Sequence, residues 1–249
     1  MTERLRVVTL NIHKGLSQFN RRAVIHELRE GLRALQPDLV FLQEVQGLNR
    51  RHALRFESWP GEAQHEYLAG AELQHVYGRN RVHQHGHYGN ALLSRHPILS
   101  HENEDISDHR FERRGLLHSV VKVPGWKRNL HCVCVHLSLH ERGRRRQLDA
   151  IAARLEEIVE RDQPVIIAGD FNDWRVRASA ILEKSLGLTE VSVAARGRHG
   201  RTFPSLLPLL QLDRIYVRGF DVAASRVHGG RPWSMLSDHL AVSAELRRS

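Results

Sequence analysis

The sequence predicts an α+β fold in which two mixed β-sheets pack face to face with helices outside, layered α, β, β, α. Three observations lead there. Apolar strand-like runs are spread from Leu5 to Leu246. Some are paired by turn signals into antiparallel hairpins. Others alternate with helical spacing, as strand-helix-strand crossovers do.

Leu5 to Leu10 reads as a strand ending in Asn11-Ile-His-Lys-Gly15, and Arg21 to Leu35 follows with Val24, Ile25, Leu28, Leu32 and Leu35 at helical spacing, stopped by Pro37. A short strand, Leu39 to Leu42, ends in Gln43-Glu44-Val45, and an irregular stretch rich in His and aromatic residues runs from Gln46 to His87. Tyr88 to Arg95 is another strand, and Arg114 to Val123 and Asn129 to His136 form a pair joined by the turn Pro124-Gly-Trp-Lys127. A helix over Glu141 to Val159, strands at Val165 to Ala168 and Arg214 to Val217, and a final run from Leu240 to Leu246 complete the pattern. The arginines at 142, 144, 145 and 146 read as a solvated helix face.

With 249 residues, 41% hydrophobic and 26% charged, the chain suits one large core, and no linker, repeat or low-complexity tract divides it, so residues 1–249 are read as one domain. The first ten residues lack an apolar leader and no run is long enough for a bilayer, so the expected location is cytoplasmic. Cys132 and Cys134 share one face of a strand and are expected as reduced packing residues. A net charge of +9, with 18 histidines besides, attracts nucleic acid, anionic headgroups or phosphorylated small molecules without choosing among them.

The chemistry lies where apolar runs end: Asn11, Glu44, His136, Asp170, Asn172, Asp213, Asp238 and His239. This set is rich in hard oxygen donors and lacks a zinc-like Cys/His cluster, which points to Mg2+ or Mn2+. Thr9-Leu-Asn11, Leu42-Gln-Glu44, Val135-His-Leu-Ser138, Gly169-Asp-Phe-Asn172, Leu212-Asp-Arg-Ile215 and Ser237-Asp-His239 together resemble the endonuclease/exonuclease/phosphatase superfamily, the deoxyribonuclease I-like fold, across nearly the whole chain. More narrowly, Asn11-Ile-His-Lys-Gly15, Phe19-Asn-Arg-Arg22, Tyr77-Gly-Arg-Asn80, Gly169-Asp-Phe-Asn-Asp-Trp174 and Leu212-Asp-Arg-Ile-Tyr216 are similar to its bacterial YbhP-like branch. Any one motif alone would be a turn, a helix cap or a strand end; all of them in the family's order are not explained that way.

The resemblance implies a hydrolase of phosphoesters in which Glu44 is the principal ligand to a divalent cation, assisted by Asn11 and Asp238. It implies that Asp170 orients or deprotonates the attacking water, that Asn172 donates its amide to a phosphate oxygen, and that His239, held charged by Asp213, contacts the phosphate. His136 would be a second imidazole on the phosphate side; abasic-site endonucleases typically carry Tyr there, which argues against that repair role. The implied substrate is a phosphoester, either a lipid headgroup or other membrane-derived phosphodiester, which the YbhP-like resemblance favours, or DNA or RNA. A non-catalytic partner of a membrane lipid synthase is a further alternative, disfavoured by the complete set of catalytic residue types. Arg114 reads equally as a phosphate contact and as a surface partner of Glu112. His83, His85 and His87 are expected as solvated decoration at a cleft wall. Phe203 to Leu212, with two prolines, is expected first as core leading into a buried strand; exposed leucines there would instead suit peripheral contact with the inner membrane.

Overall fold

A computed structural model describes residues 4–109 and 111–249; Met1 to Glu3, part of the stretch read above for a leader, and Arg110 lie outside that range. The described residues form twelve strands: β1 (Arg4–Asn11), β2 (Leu39–Asn49), β3 (Gln74–His83), β4 (Gly86–Ser94), β5 (Ile98–Asp105), β6 (Gly115–Val121), β7 (Leu130–His136), β8 (Val165–Asp170), β9 (Thr189–Glu190), β10 (Asp213–Arg218), β11 (Phe220–Val227) and β12 (Val242–Arg248). The helices are α1 (Ile25–Ala34), α2 (Arg50–Arg55), α3 (Gln64–Ala69), α4 (Glu141–Ile158), α5 (Arg177–Leu186) and α6 (Val191–Arg196). Two six-stranded sheets result, ordered β11-β12-β1-β2-β4-β3 and β5-β6-β7-β8-β10-β9.

The central runs, such as Leu39 to Leu42 and Val165 to Ala168, are apolar without interruption because both faces of each sheet are covered there. Alternation then sorts the side chains. Val7, Phe41, Cys132, Cys134, Ile166, Ala168 and Ile215 point into the layer between the sheets. Val8, Val40 and Leu42 pack outward with Leu28 and Leu32 of α1. Val133, Val135 and Ile167 pack outward with Leu148, Ile151 and Leu155 of α4 and Leu182 of α5. Both cysteines are free and buried; Cys134 donates from Sγ to the Leu42 carbonyl at 3.4 Å and accepts from Gln43 Nε2 at 3.3 Å.

Within each sheet one pair of strands is parallel, β1 with β2 and β7 with β8, and the other strand pairings are antiparallel. α1 and α4 are the crossovers those parallel pairs require. The stretch from Gln46 to His87 is more regular than its composition suggests. β2 runs on to Asn49, α2 and α3 follow, and β3 forms the sheet edge. The sequence signal fails there because a strand on the rim has no need of continuous apolar character: β3 is buried at Gly78 and exposed or half-buried elsewhere. β5 and β11, both rim strands as well, were masked in the same way.

Candidate active site

The functional side chains converge because parallel strands end, and antiparallel ones begin, at the same edge of the sandwich. Asn11 and His136 are the last residues of β1 and β7, and Asp170 is the last of β8. Asp213 opens β10 directly opposite Asp170 in the ladder, and His136 is also in register with Asp170. Gly169 makes the approach possible. Its φ is +150°, and a Cβ there would stand 1.9 Å from the Val135 carbonyl oxygen, so only glycine can precede Asp170.

Asp170 is fully enclosed. Its Oδ1 accepts from the Asn172 backbone N–H at 2.9 Å, and its Oδ2 accepts from Asn11 Nδ2 at 3.2 Å. The same Oδ2 lies 3.4 Å from His136 Nε2 and 3.8 Å from His239 Nε2. Burial raises the Asp170 carboxyl to about 6; the positive His239 pulls down against it, while neighbouring Asp213 pushes the same way as burial. His239 Nδ1 donates to Asp213 Oδ2 at 2.8 Å. Burial alone would strip the His239 ring of its proton, but Asp213 and Asp170 outweigh it and hold the imidazolium up to about 10. His136 is the opposite case: burial, with Arg114 and His239 nearby, drives its ring well below the ordinary value, so it is neutral. Asn172, at φ +49°, turns its Nδ2 to the Leu137 carbonyl at 2.9 Å, which uses one of two amide protons.

Glu44 reaches the site through a bulge. Leu42 pairs with Ala91 and Val45 with Gly89, so Gln43 and Glu44 together face one residue of β4, and Glu44 takes the left-handed φ of +57°. Lys14 Nζ lies 2.9 Å from Glu44 Oε2, and His13 Nδ1 lies 3.0 Å from Asp238 Oδ2. Burial pushes Glu44 up, but the Lys14 ammonium, the largest opposing influence, reverses the sign and brings it to about 2. Burial pushes Asp238 up too, and its contact with His13 and the charge of His239 bring it below the usual range.

A hard divalent cation fits these donors. Asp213 Oδ1 is buried without a donor, and Glu44 Oε2 is buried with the Lys14 ammonium 2.9 Å away. Asp170, Asp213 and His239 are, among the described residues, a group whose ligand atoms lie within 4.8 Å of one another. His239 in its protonated form already answers those two carboxylates. Glu44 and Asp238, faced by the side chains of Lys14 and His13, with Ser237 Oγ also donating to Asp238 Oδ1 at 3.3 Å, are the better place for a second positive charge. Asn11 is engaged elsewhere than with Glu44: Nδ2 donates to Asp170, and Oδ1 accepts from the His13 backbone N–H at 3.1 Å.

His13 and Lys14, flanked by the motif residue Asn11, were missed as site residues because a basic pair in a loop is usually solvated. Their positive φ values, +45° and +59°, are what fold them back over the carboxylates. Arg114 pairs with Glu112 at 3.0 Å, yet the pair is largely buried, and Arg114 is close enough to His136 to lower its affinity for a proton. Three expectations are corrected. Arg144 is not part of a solvated face: it is buried, donates to the Ser138 and Leu139 carbonyls at 3.1 and 2.7 Å, and lies 4.8 Å over the Trp174 ring, so it pins the loop that leaves His136. Of the alternating histidines, His83 and His85 sit at the tip of the β3–β4 hairpin, whereas His87 Nδ1 is 3.1 Å from the Tyr77 hydroxyl and is not purely solvated. Leu206, Leu207, Leu209 and Leu210 are exposed rather than packed as core.

This edge-on cluster of carboxylates and imidazoles lies at one rim of a two-sheet sandwich, and the chain belongs to the Endonuclease/Exonuclease/phosphatase family, whose profile matches residues 8–239. Members of that family are typically metal-dependent hydrolases or nucleases acting on phosphoester bonds. The chain is similar to the uncharacterized protein YbhP of Escherichia coli strain K12, 44% identical over 242 residues, which is 97% of this chain and 95% of that one. The fold is shared with an endonuclease/exonuclease/phosphatase from Bacteroides vulgatus, at TM-score 0.79 and 17% identity over 99% of both chains. It is shared also with one from Beutenbergia cavernae, at TM-score 0.77 and 22% identity over 99% of this chain and 72% of that one. Among the described residues no helix is long and apolar enough to cross a membrane.

Proposed function

We propose that this protein is a divalent-metal-dependent phosphodiesterase in which water attacks phosphorus directly, with no covalent enzyme intermediate. The observation that carries the reading is the buried chain Asp213–His239–Asp170, which sets a carboxylate titrating near neutrality beside an imidazolium. Two groups pushed to opposite protonation states in one enclosed site suit acid-base work. Asp170 takes a proton from water as the water oxygen bonds to phosphorus. The bond from phosphorus to the leaving oxygen then breaks, while His239 and the second amide proton of Asn172 stabilise charge on the phosphate oxygens. Neutral His136, 3.4 Å from Asp170, positions the same water or phosphate oxygen. Mg2+ or Mn2+ held by Glu44, with Asp238 and Asn11 in support, supplies Lewis-acid polarisation of a phosphate oxygen when bound.

A phospholipid or other membrane-derived phosphodiester is the favoured substrate, supported by the exposed leucines of the loop whose Ser205 N–H donates to the Asp238 carbonyl at 2.8 Å. Net charge of +9 supports a second reading as a DNA or RNA nuclease, whose cleavage would weaken steeply with salt. The deciding experiment is Mg2+- and Mn2+-dependent hydrolysis of plasmid DNA, RNA, phospholipid vesicles and a generic soluble phosphodiester, with Asp170→Ala as control. Turnover of lipid that disappears in the variant supports the first reading, and turnover of nucleic acid alone replaces it with the second. No metal-dependent hydrolysis of any substrate would sink both and leave a non-catalytic partner of a membrane enzyme.

A further inference from the structure

We propose that the leucine loop and the arginine cleft beside it form a docking surface for an anionic phospholipid bilayer, separate from the catalytic residues. The inference rests on the lipid reading above and adds to its exposed leucines the arginine cleft beside them. Between Phe203 and Leu210 the chain closes into a narrow hairpin. Leu209 and Leu210 donate from their backbone N–H groups to the Phe203 carbonyl at 2.9 and 2.8 Å, and Leu207 N–H donates to the Pro204 carbonyl at 3.1 Å. The base is fastened by Ser205, whose hydroxyl donates to the Ser234 and Ser237 carbonyls at 3.1 and 2.7 Å. A loop bonded in this way does not leave its leucines outside for want of structure. Leu206 is 55% and Leu207 66% exposed, and Met235, in the turn that Ser205 grips, is 42% exposed. A contiguous apolar projection of this kind on a soluble surface marks a place that is covered by something apolar in use.

What covers it is indicated by charge. Pro208 and Gln211 of the same loop also wall a cleft of about 640 Å³ lined by Arg196, Arg198 and Arg201. All three arginines are exposed, and among the described residues none has an acidic partner. His199, between them in sequence, is by contrast within 3.2 Å of Glu190. Three unpaired guanidinium groups next to protruding leucines match the two layers of a membrane surface, phosphate outside and acyl chain beneath. A nucleic-acid surface would match the arginines, but leucines offer bases no stacking face. Net charge of +9 adds long-range attraction to an anionic bilayer.

The test is co-sedimentation of the full chain with vesicles of phosphatidylcholine and of equal parts phosphatidylcholine and phosphatidylglycerol, alongside hydrolysis of a soluble phosphodiester. The wild type is expected to bind the mixed vesicles and to prefer them over phosphatidylcholine alone. Leu206→Ser with Leu207→Ser should weaken binding by about ten-fold or more for each leucine. Arg196→Gln, Arg198→Gln and Arg201→Gln together should remove the preference, at roughly five-fold for each arginine. Hydrolysis of the soluble ester should be unchanged in both variants, which separates docking from catalysis. If wild type binds the two vesicle types equally, or the leucine variant binds as well as wild type, the proposal is overturned. It is also overturned if the arginine variant keeps its vesicle preference and loses only affinity for a single-stranded oligonucleotide. Absence of soluble-ester hydrolysis in the wild type would count against the catalytic reading and leave the docking result to be judged by sedimentation.

Discussion

Replacing Asp213 by Asn is the sharpest perturbation of the site, because it removes one charge and almost no volume. His239 is only 6% exposed, and burial alone would make it neutral; its rise from 6.5 to about 10 is owed to Asp213 at 2.8 Å and Asp170 at 3.8 Å. That rise corresponds to about 5 kcal/mol in favour of the imidazolium, an upper figure for a site so enclosed. In Asp213→Asn the nearer carboxylate is gone, and burial, the largest opposing influence, wins at neutral pH. The ring becomes neutral and loses its positive charge toward the phosphate. Hydrolysis of a soluble phosphodiester at pH 7.5 should fall by about 10² to 10⁴-fold in kcat, with the alkaline limb of the pH profile moved to lower pH. The sign for stability follows from the same shift. A His raised in the folded state stabilises fully below its unfolded value near 6.5 and loses that contribution as pH rises through about 10. The stability gap between wild type and variant in urea should therefore be widest near pH 6.5 and close toward pH 10. A variant within three-fold of wild type, with its alkaline limb in place, would show that His239 does not act as a cation held by Asp213.

Because Asp170 is raised from 3.8 to about 6, wild-type turnover should fall as pH drops through about 6, where its base form is lost; a flat rate down to pH 5 in a stopped assay would remove Asp170 as the base. Lys14→Ala leaves Glu44 buried with its nearest positive neighbour removed, so thermal unfolding without metal should move to lower temperature, and added Mg2+ should raise Tm by more than it does in wild type. An identical Mg2+ response in the two proteins, read by differential scanning fluorimetry, would separate Lys14 from the cation site. Gly169→Ala should cost about 1–3 kcal/mol from its backbone angle alone, with the contact against the Val135 carbonyl adding to it, as measured by equilibrium urea denaturation. Wild-type stability there would mean that β7 and β8 are free to separate at the site.

Much of the central fold was legible because buried parallel strands announce themselves twice, in continuous apolar runs such as Val165 to Ala168 and in the helices that must return between them. The rim was not. β3, β5 and β11 have one neighbour each and little apolar character, so neither period nor composition distinguishes them from loop. At the site the same asymmetry holds. Asp170, Asn172, Asp213 and His239 are readable because each follows or begins a buried run at the strand edge, and the structure brings them within contact of one another. Lys14 and His13 depend on left-handed backbone angles at non-glycine residues, and Arg144 on a tertiary contact with Trp174. No local pattern encodes either. The exposure of Leu206 and Leu207 was likewise invisible, since a leucine in sequence reads the same whether it is packed or exposed.

The positions of Lys14 and His13 bear on how such a centre survives between turnovers. Glu44 and Asp238 are carboxylates largely drawn out of bulk water, and the Glu44 charge raises the proton affinity of Asp238, so without a compensating charge one of them would take up a proton and could not serve the proposed cation. Lys14, itself held above its ordinary value because Glu44 outweighs its burial, supplies that charge on one side, and the His13 ring contacts Asp238 on the other. The His13 ring is held on its other nitrogen by Asn20 Oδ1 at 3.1 Å, whereas Lys14 reaches Glu44 on a long side chain one-third exposed to solvent. A tightly bonded lysine would exclude a divalent ion, and an absent one would leave the carboxylates to protonate. A close ammonium on a long, part-exposed side chain keeps Glu44 ionised and is free to swing aside, which would leave the carboxylate in the form that the proposed cation requires.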